Sequence, residues 1–325
     1  MVTRRRDHIS AQELAEQFQR IEANIATVVE GKPEVIRLAL IALLAEGHLL
    51  IEDVPGVGKT LLAKAVARSI ACSVRRIQFT PDLLPSDITG VSVYNQEHGD
   101  FEFKPGAIFA NIVLGDEINR AGPKTQSAML EAMEERTVTV DGTTYELGVP
   151  FMVIATQNPV ELEGTYPLPE AQRDRFMMRV SIGYPSVAAE MQVLDVHGQG
   201  DRVAAMEPVA DAQQIAALIE AAKAIHAADP LKQYIVDLVR ATRDHAAVEL
   251  GASPRAALAL LRSTRALAAC EGRDYVVPDD VKLLAQPVLA HRLILRPEAQ
   301  MADRTAAEII DELLASVPIP TAGSR

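Results

Sequence analysis

HLLIEDVPGVGKT, residues 48–60, runs an apolar strand into a Gly/Pro turn and then into the helical pattern of residues 59–70. A strand that turns through glycines into a helix is the setting of a phosphate-binding loop. Gly56 and Gly58 allow a backbone path that points successive N–H groups inward, and the helix N-terminus adds positive potential. Lys59 supplies a full charge for terminal phosphates, and Thr60 is placed to ligate Mg²⁺. A lysine in the first turn opposes the helix dipole by about 0.3 kcal/mol or more, so a nearby anion accounts for its presence. The common pattern GxxxxGKT begins with glycine where Asp53 stands.

Outward from this loop, short β-rich runs alternate with helical stretches from about His48 to Gly183, with strands expected at 48–52, 75–80, 111–116, 150–156 and 176–182. That alternation predicts an α/β domain with a parallel sheet and crossover helices in αβα layers. After about Ser186 alanine rises and glycine thins out. Segments near 187–197, 211–228, 231–247, 254–271, 278–291 and 302–315 then read as helices of an all-α domain. Leu14, Phe18, Ile21, Ile25 and Val28 predict a helix within residues 10–30. At roughly 150 residues per domain, 325 residues give about two domains.

Two further strands bring chemistry to the carboxyl edge of such a sheet, where ligands of open α/β sheets bind. The run Asn111–Gly115 ends in Asp116 and Glu117. Asp116 suits a direct or outer-sphere Mg²⁺ contact, and Glu117 suits a general base that orients water at a γ-phosphate. The same pair also reads as an acidic cap on the helix starting near Gly122. The run Pro150–Thr156 delivers Gln157, Asn158 and Pro159. Asn158 can hydrogen-bond water or a phosphate, although Asn-Pro taken alone is more often simply a turn.

In the helical half, Ser253 and Pro254 read as an N-cap and first helical residue, which places Arg255 in a first turn, better sited to reach a phosphate than to stabilise its own helix. Residues 86–106 read as a hairpin interrupting a helix, with Tyr94, Phe101 and Phe103 as large groups on it. Asp141-Gly142 between Thr137–Val140 and Thr143–Leu147 signals a second hairpin.

Composition weighs against several classes. Lys plus Arg total 32 against 44 Asp plus Glu, a formal charge of −12, and aromatics are 4%, which argues against nucleic-acid and anionic-lipid partners. The longest apolar stretch, Leu38–Ala45, is far short of the roughly 20 residues that span a bilayer. Cys72 and Cys270 form no CxxC pair, which fits a reducing, cytoplasmic setting.

The order of phosphate loop, Asp-Glu strand, Asn strand and helical half resembles an AAA+ ATPase. Within that group RIQFTPDLLPSDITG at 76–90, FANIVLGDEINRAGPKTQSAMLEAMEER at 109–136 and ATQNPVELEGTYPLPEAQRDRF at 155–176 resemble the signature blocks of the MoxR family. The resemblance covers about residues 10–315; Ala107 and Arg173 depart from the family's usual Pro and Leu. It implies an ATPase working with ATP and Mg²⁺ in a homo-oligomeric ring, usually a hexamer, with nucleotide held between neighbours. It further implies a von Willebrand A domain partner, a protein client and chaperone-like assembly or remodelling. Asp53, Val54, Pro55, Gly56, Val57, Gly58, Lys59 and Thr60, with Leu61 next on the helix, match the Walker A loop. Asp116 and Glu117 match Walker B, Asn158 sensor 1, Arg255 sensor 2 and Arg175 the arginine finger, with Arg173 as its rival. On the same basis residues 1–30 are expected to form a helix packed on the core, 31–185 the ATPase domain with two hairpin inserts, 186–208 a linker with a connecting helix, and 209–325 the helical lid. A DNA-remodelling motor and a nucleotide-gated scaffold with little turnover are the alternatives.

Overall fold

The computed structural model describes residues 9–54, 56–158, 165–184, 191 and 202–319. The chain divides into two compact units, one comprising Glu22–Ala212 and the other Gln213 onward together with the residues up to Ile21.

The first unit is an α/β structure. Helix α1 (Ala11–Ala26) begins among the residues of the other unit and ends in this one; α2 (Pro33–Leu44) then precedes strand β1 (Leu49–Glu52), after which come α3 (Lys59–Ser69), β2 (Val74–Gln78) and the short α4 (Pro85–Thr89). Strands β3 (Gly90–Asn95) and β4 (Asp100–Pro105) lead to β5 (Ile112–Asp116), a 3₁₀ turn at Ile118–Arg120 and α5 (Pro123–Glu135). Then follow β6 (Thr137–Val140), β7 (Thr143–Glu146), β8 (Met152–Gln157), α6 (Glu170–Arg173) and β9 (Met178–Val180). The core sheet has the order β2-β5-β8-β1-β9, and each neighbouring pair runs parallel. Because β1 lies between β8 and β9, the chain order reverses beside it, and the loop leaving its carboxyl end opens at the switch point where open sheets bind ligands. Strands β1, β5 and β8 are apolar almost throughout because both faces are covered.

Helix α2 was not anticipated. Pro33 at its start and Glu34 in its first turn are ordinary initiation signals, and Val35, Ile36 and Ala39–Leu44 are buried. An apolar run with no polar face carries no 3.6-residue periodicity, so the pattern is silent on its conformation. The first hairpin, β3–β4, does not interrupt a helix: it stands between the short α4 and β5. A Cβ at Gly106 would run into the backbone of Ile88 and Gly90, so glycine closes the hairpin's base. The second hairpin, β6–β7, turns at Asp141 (φ 50°) and Gly142 (φ 79°), both left-handed as a two-residue turn requires.

The second unit is helical: α7 (Ala212–Ala224), α8 (Asp229–Asp244), α9 (Pro254–Cys270), α10 (Pro278–Leu289), a short α11 (Pro297–Met301) and α12 (Ala306–Ser316). A small antiparallel pair, β10 (Val248–Leu250) and β11 (Ile294–Leu295), ties the α8–α9 connection to the residues after α10. In α8 the buried residues Leu231, Tyr234, Ile235, Leu238, Val239 and Thr242 follow the helical spacing read from sequence. Ser253 caps α9, its hydroxyl accepting the Arg255 N–H at 3.1 Å. The helix expected at 187–197 falls almost wholly outside the described residues, and among those described no helix is long and apolar enough to cross a membrane.

Candidate functional site

Strand β1 ends at Glu52, and the Asp53 N–H continues the ladder onto the Gln157 carbonyl at 3.1 Å. Gly56 and Gly58 then take φ of 85° and 94°, a left-handed path that a side chain would strain, and Gly58 is the N-cap of α3. Lys59 opens that helix and Thr60 follows it; Pro55, also expected in the loop, lies outside the described residues. The Lys59 ammonium folds back to donate to the Asp53 carbonyl at 2.5 Å. Burial holds it below its ordinary pKa, against the upward pull of Asp53, Asp116 and Glu117. A half-buried ammonium so placed has the charge to receive an anion.

The acidic pair is fixed from the neighbouring strand. Thr156 on β8 accepts the Glu117 N–H at 2.9 Å and donates its hydroxyl to Asp116 Oδ1 at 2.6 Å. Arg76 on β2 donates to Asp116 Oδ2 from Nη2 at 2.7 Å and Nε at 3.2 Å. Glu117 has a left-handed backbone (φ 58°), and its carboxylate accepts Gln78 Nε2 at 2.8 Å, with Arg120 at 3.2 Å. Asn158, buried, follows the last residue of β8, beside the end of β1. Lys59, Asp116, Glu117 and Asn158 are thus gathered at the carboxyl edge of the sheet.

Arg175 is placed elsewhere. It lies between α6 and β9, and β9 begins beside the amino end of β1, with Met178 opposite Leu49 and the Met177 N–H donated to the His48 carbonyl at 2.8 Å. Arg175 Nε stands 3.1 Å from Glu134 Oε2 near the end of α5, an ion pair without hydrogen-bond alignment, rather than pairing with Asp174 or Glu170 beside it in sequence. Arg173, its rival, has a buried Nε that no acceptor meets. Arg255 is exposed in the first turn of α9, in the helical unit.

Residues 48–178 match the model of the ATPase family associated with various cellular activities (AAA), and residues 240–313 match that of the AAA lid domain. Chaperone MoxR1 of Mycobacterium tuberculosis is 41% identical over 317 residues, covering 93% of this chain and 82% of its own. Protein MoxR of Paracoccus denitrificans is 31% identical over 332 residues, 94% of this chain and 97% of its own. The chain belongs to the MoxR family of AAA+ ATPases. YeaC of Bacillus subtilis, an uncharacterized protein, is 51% identical to this MoxR-family chain over 297 residues, 91% of this chain and 93% of its own. A crystal structure of a Cytophaga hutchinsonii protein, assigned as an ATPase, superposes with a TM-score of 0.89 at 39% identity, covering 96% of this chain and 97% of that one. Family membership implies nucleotide binding and supports ATPase activity.

Arg76, Gln78, Arg120 and Thr156 were not read from this MoxR-family sequence as site residues. A signal existed for two of them: Arg76 and Gln78 are two apart on one strand and so share a face. Register brings Gln78 opposite Asp116. Thr156 gave no signal, since a hydroxyl among apolar strand residues reads as a β-former.

Proposed function

We propose that this chain hydrolyses ATP in the presence of Mg²⁺ as a homo-oligomeric, hexameric ring in the cytoplasm, and uses the cycle to assemble or remodel a protein client together with a von Willebrand A domain partner. In this reading residues 31–185 are the ATPase domain and 209–325 the lid. The loop from Asp53 to Leu61 holds the nucleotide, and Lys59 leaves the Asp53 carbonyl for the phosphates. Thr60 and Asp116 offer the hard oxygens that Mg²⁺ takes, and Asp116 already supports one cationic partner in Arg76. When bound, Mg²⁺ neutralises charge on the β- and γ-phosphates. Glu117 orients and deprotonates the attacking water, Asn158 hydrogen-bonds water or γ-phosphate, and Arg255 reports nucleotide state to the lid.

The observation that carries the ring reading is the separation of Arg175 from the phosphate loop. They sit at opposite ends of β1, whose four residues span about 13 Å. A guanidinium at the amino edge does not serve the loop at the carboxyl edge of its own sheet, whereas it can serve a neighbouring copy. An Arg fork given across an interface stabilises charge on the transferring phosphoryl group and makes hydrolysis conditional on assembly.

Client binding is assigned to the hairpins. Tyr94 and Phe101, in edge contact near the tip of β3–β4, are 53% and 68% exposed, which is costly unless a surface receives them. Phe103, grouped with them in sequence, is not a projecting group: it stacks on Tyr145 of β6–β7 at 4.0 Å and meets Phe109 edge-on. Phe101→Ala is therefore expected to weaken partner binding, or partner-stimulated turnover, with ATP binding retained. Phe103→Ala is expected to loosen the joint between hairpins by about 1 kcal/mol or more. Pull-downs in ATP and ADP with thermal melts check both; identical partner recovery in every nucleotide state and variant rejects the coupled client.

Phosphate release from the purified protein alone, with duplex DNA and with a von Willebrand A domain partner tests the whole reading. Stimulation by the protein partner is expected. Submicromolar, ATP-dependent DNA binding would instead favour a DNA motor, against the chain's charge of −12. Absence of release in every arm would leave a scaffold.

A further inference from the structure

Where the common phosphate loop begins with glycine, this chain buries a carboxylate. Asp53 is 8% exposed, yet it carries a charge beside a loop meant for anions. Its oxygens are consumed by the protein: Oδ1 accepts the Val54 N–H at 2.8 Å, while Oδ2 accepts the Ser181 hydroxyl at 2.9 Å and the Gly183 N–H at 2.6 Å. Burial raises the Asp53 pKa, but hydrogen bonds from Gly183, Ser181, Val54 and Ile182 outweigh it and leave the group below its ordinary value. The charge is thus held by three hydrogen bonds from the protein's own donors. Ser181 and Gly183 follow the last residue of β9, and Gly183 makes its turn at φ 65°.

We infer that Asp53 is a positioning residue, fastening the start of the phosphate loop to the segment by which β9 leaves the sheet and thereby setting the loop's affinity for nucleotide. The inference rests on the reading of residues 53–61 as the nucleotide loop. The Asp53 carbonyl that accepts Lys59 belongs to the same residue, so the staple also fixes where the lysine rests. Only a carboxylate suits the position. Both oxygens receive a backbone N–H, so an asparagine would turn its NH₂ against either Val54 or Gly183 in each orientation.

Asp53→Gly, which restores the commoner loop residue, and Asp53→Asn are the test. A fluorescent ADP analogue gives Kd, steady-state turnover gives KM and kcat, and hydrogen exchange reads the Gly183 amide. Both variants are expected to raise Kd and KM by about tenfold or more, with the loss in KM exceeding that in kcat and faster exchange at Gly183. Ser181→Ala should show a smaller rise that adds little to Asp53→Gly, since both cut the same link. Wild-type nucleotide affinity in Asp53→Gly, or a loss confined to kcat, overturns the inference. If the Asp53 variants do not fold, unchanged affinity in Ser181→Ala overturns it instead. Lys59→Ala separates the underlying reading: wild-type nucleotide affinity in that variant would reject the loop assignment itself, whatever Asp53 does.

Discussion

In the Glu117→Gln variant ATP is expected to bind and stay bound, with turnover reduced by roughly 10²–10⁴-fold, whereas Lys59→Ala is expected to lose nucleotide binding. The two side chains are held at one edge of the sheet but do different work. Lys59 is a half-buried ammonium with no carboxylate in salt-bridge contact among those described, and its ordinary acceptor is a backbone carbonyl that a phosphate can replace. Removing it removes charge from the ground state and the transition state alike, so affinity falls. Glu117 is held through its own N–H to Thr156, a bond that a glutamine keeps, and Asp116 remains on the same hydroxyl. The substitution therefore removes the base and its ion pair with Arg120, while an amide oxygen can still accept Gln78. A nucleotide titration beside a phosphate-release assay separates them, and equal loss of binding in both variants would sink the assignment.

The second large effect concerns the far side of the sheet. Arg175→Ala is expected to bind ATP nearly normally while turnover drops by roughly 10³-fold or more, as happens when an arginine finger is removed. Normal binding follows from placement, because Arg175 lies at the amino end of β1's partner strand and touches Glu134, not the loop. Mixing Arg175→Ala with Lys59→Ala protein should restore part of the hydrolysis, since a Lys59→Ala copy still brings its own Arg175 to the nucleotide of an Arg175→Ala neighbour. Lack of rescue, combined with a comparable defect in Arg173→Ala, would move the role to Arg173.

How much of this was legible in the sequence depended on whether local chemistry or long-range register decided it. The turn from β1 into α3 was legible because glycine, lysine and the preceding strand are contiguous, and the second hairpin because Asp141-Gly142 has few other uses. The αβα sheet followed from alternation, and α9 from its Ser-Pro start. Helix α2 was not legible, since burial on every side erases the periodicity that marks a helix. The partners of Asp116 and Glu117 were hidden for a different reason: Arg76, Gln78 and Thr156 meet them only through strand order, with β5 between β2 and β8. Phe103 was misjudged on the same ground, because its neighbour Tyr145 lies on a separate hairpin, and nothing near Phe103 in the chain announces it.

The stack of Phe103 on Tyr145 has architectural meaning. It joins the two hairpins side to side at their ring pair, with Phe101 exposed towards the tip of the first. Strand β6 starts two residues beyond α5, after the left-handed turn at Arg136, and the last turn of α5 carries Glu134. A short stretch of backbone thus links the joined hairpins to the helix turn whose carboxylate pairs with Arg175, so the hairpin base and the Arg175 ion pair share one structural support.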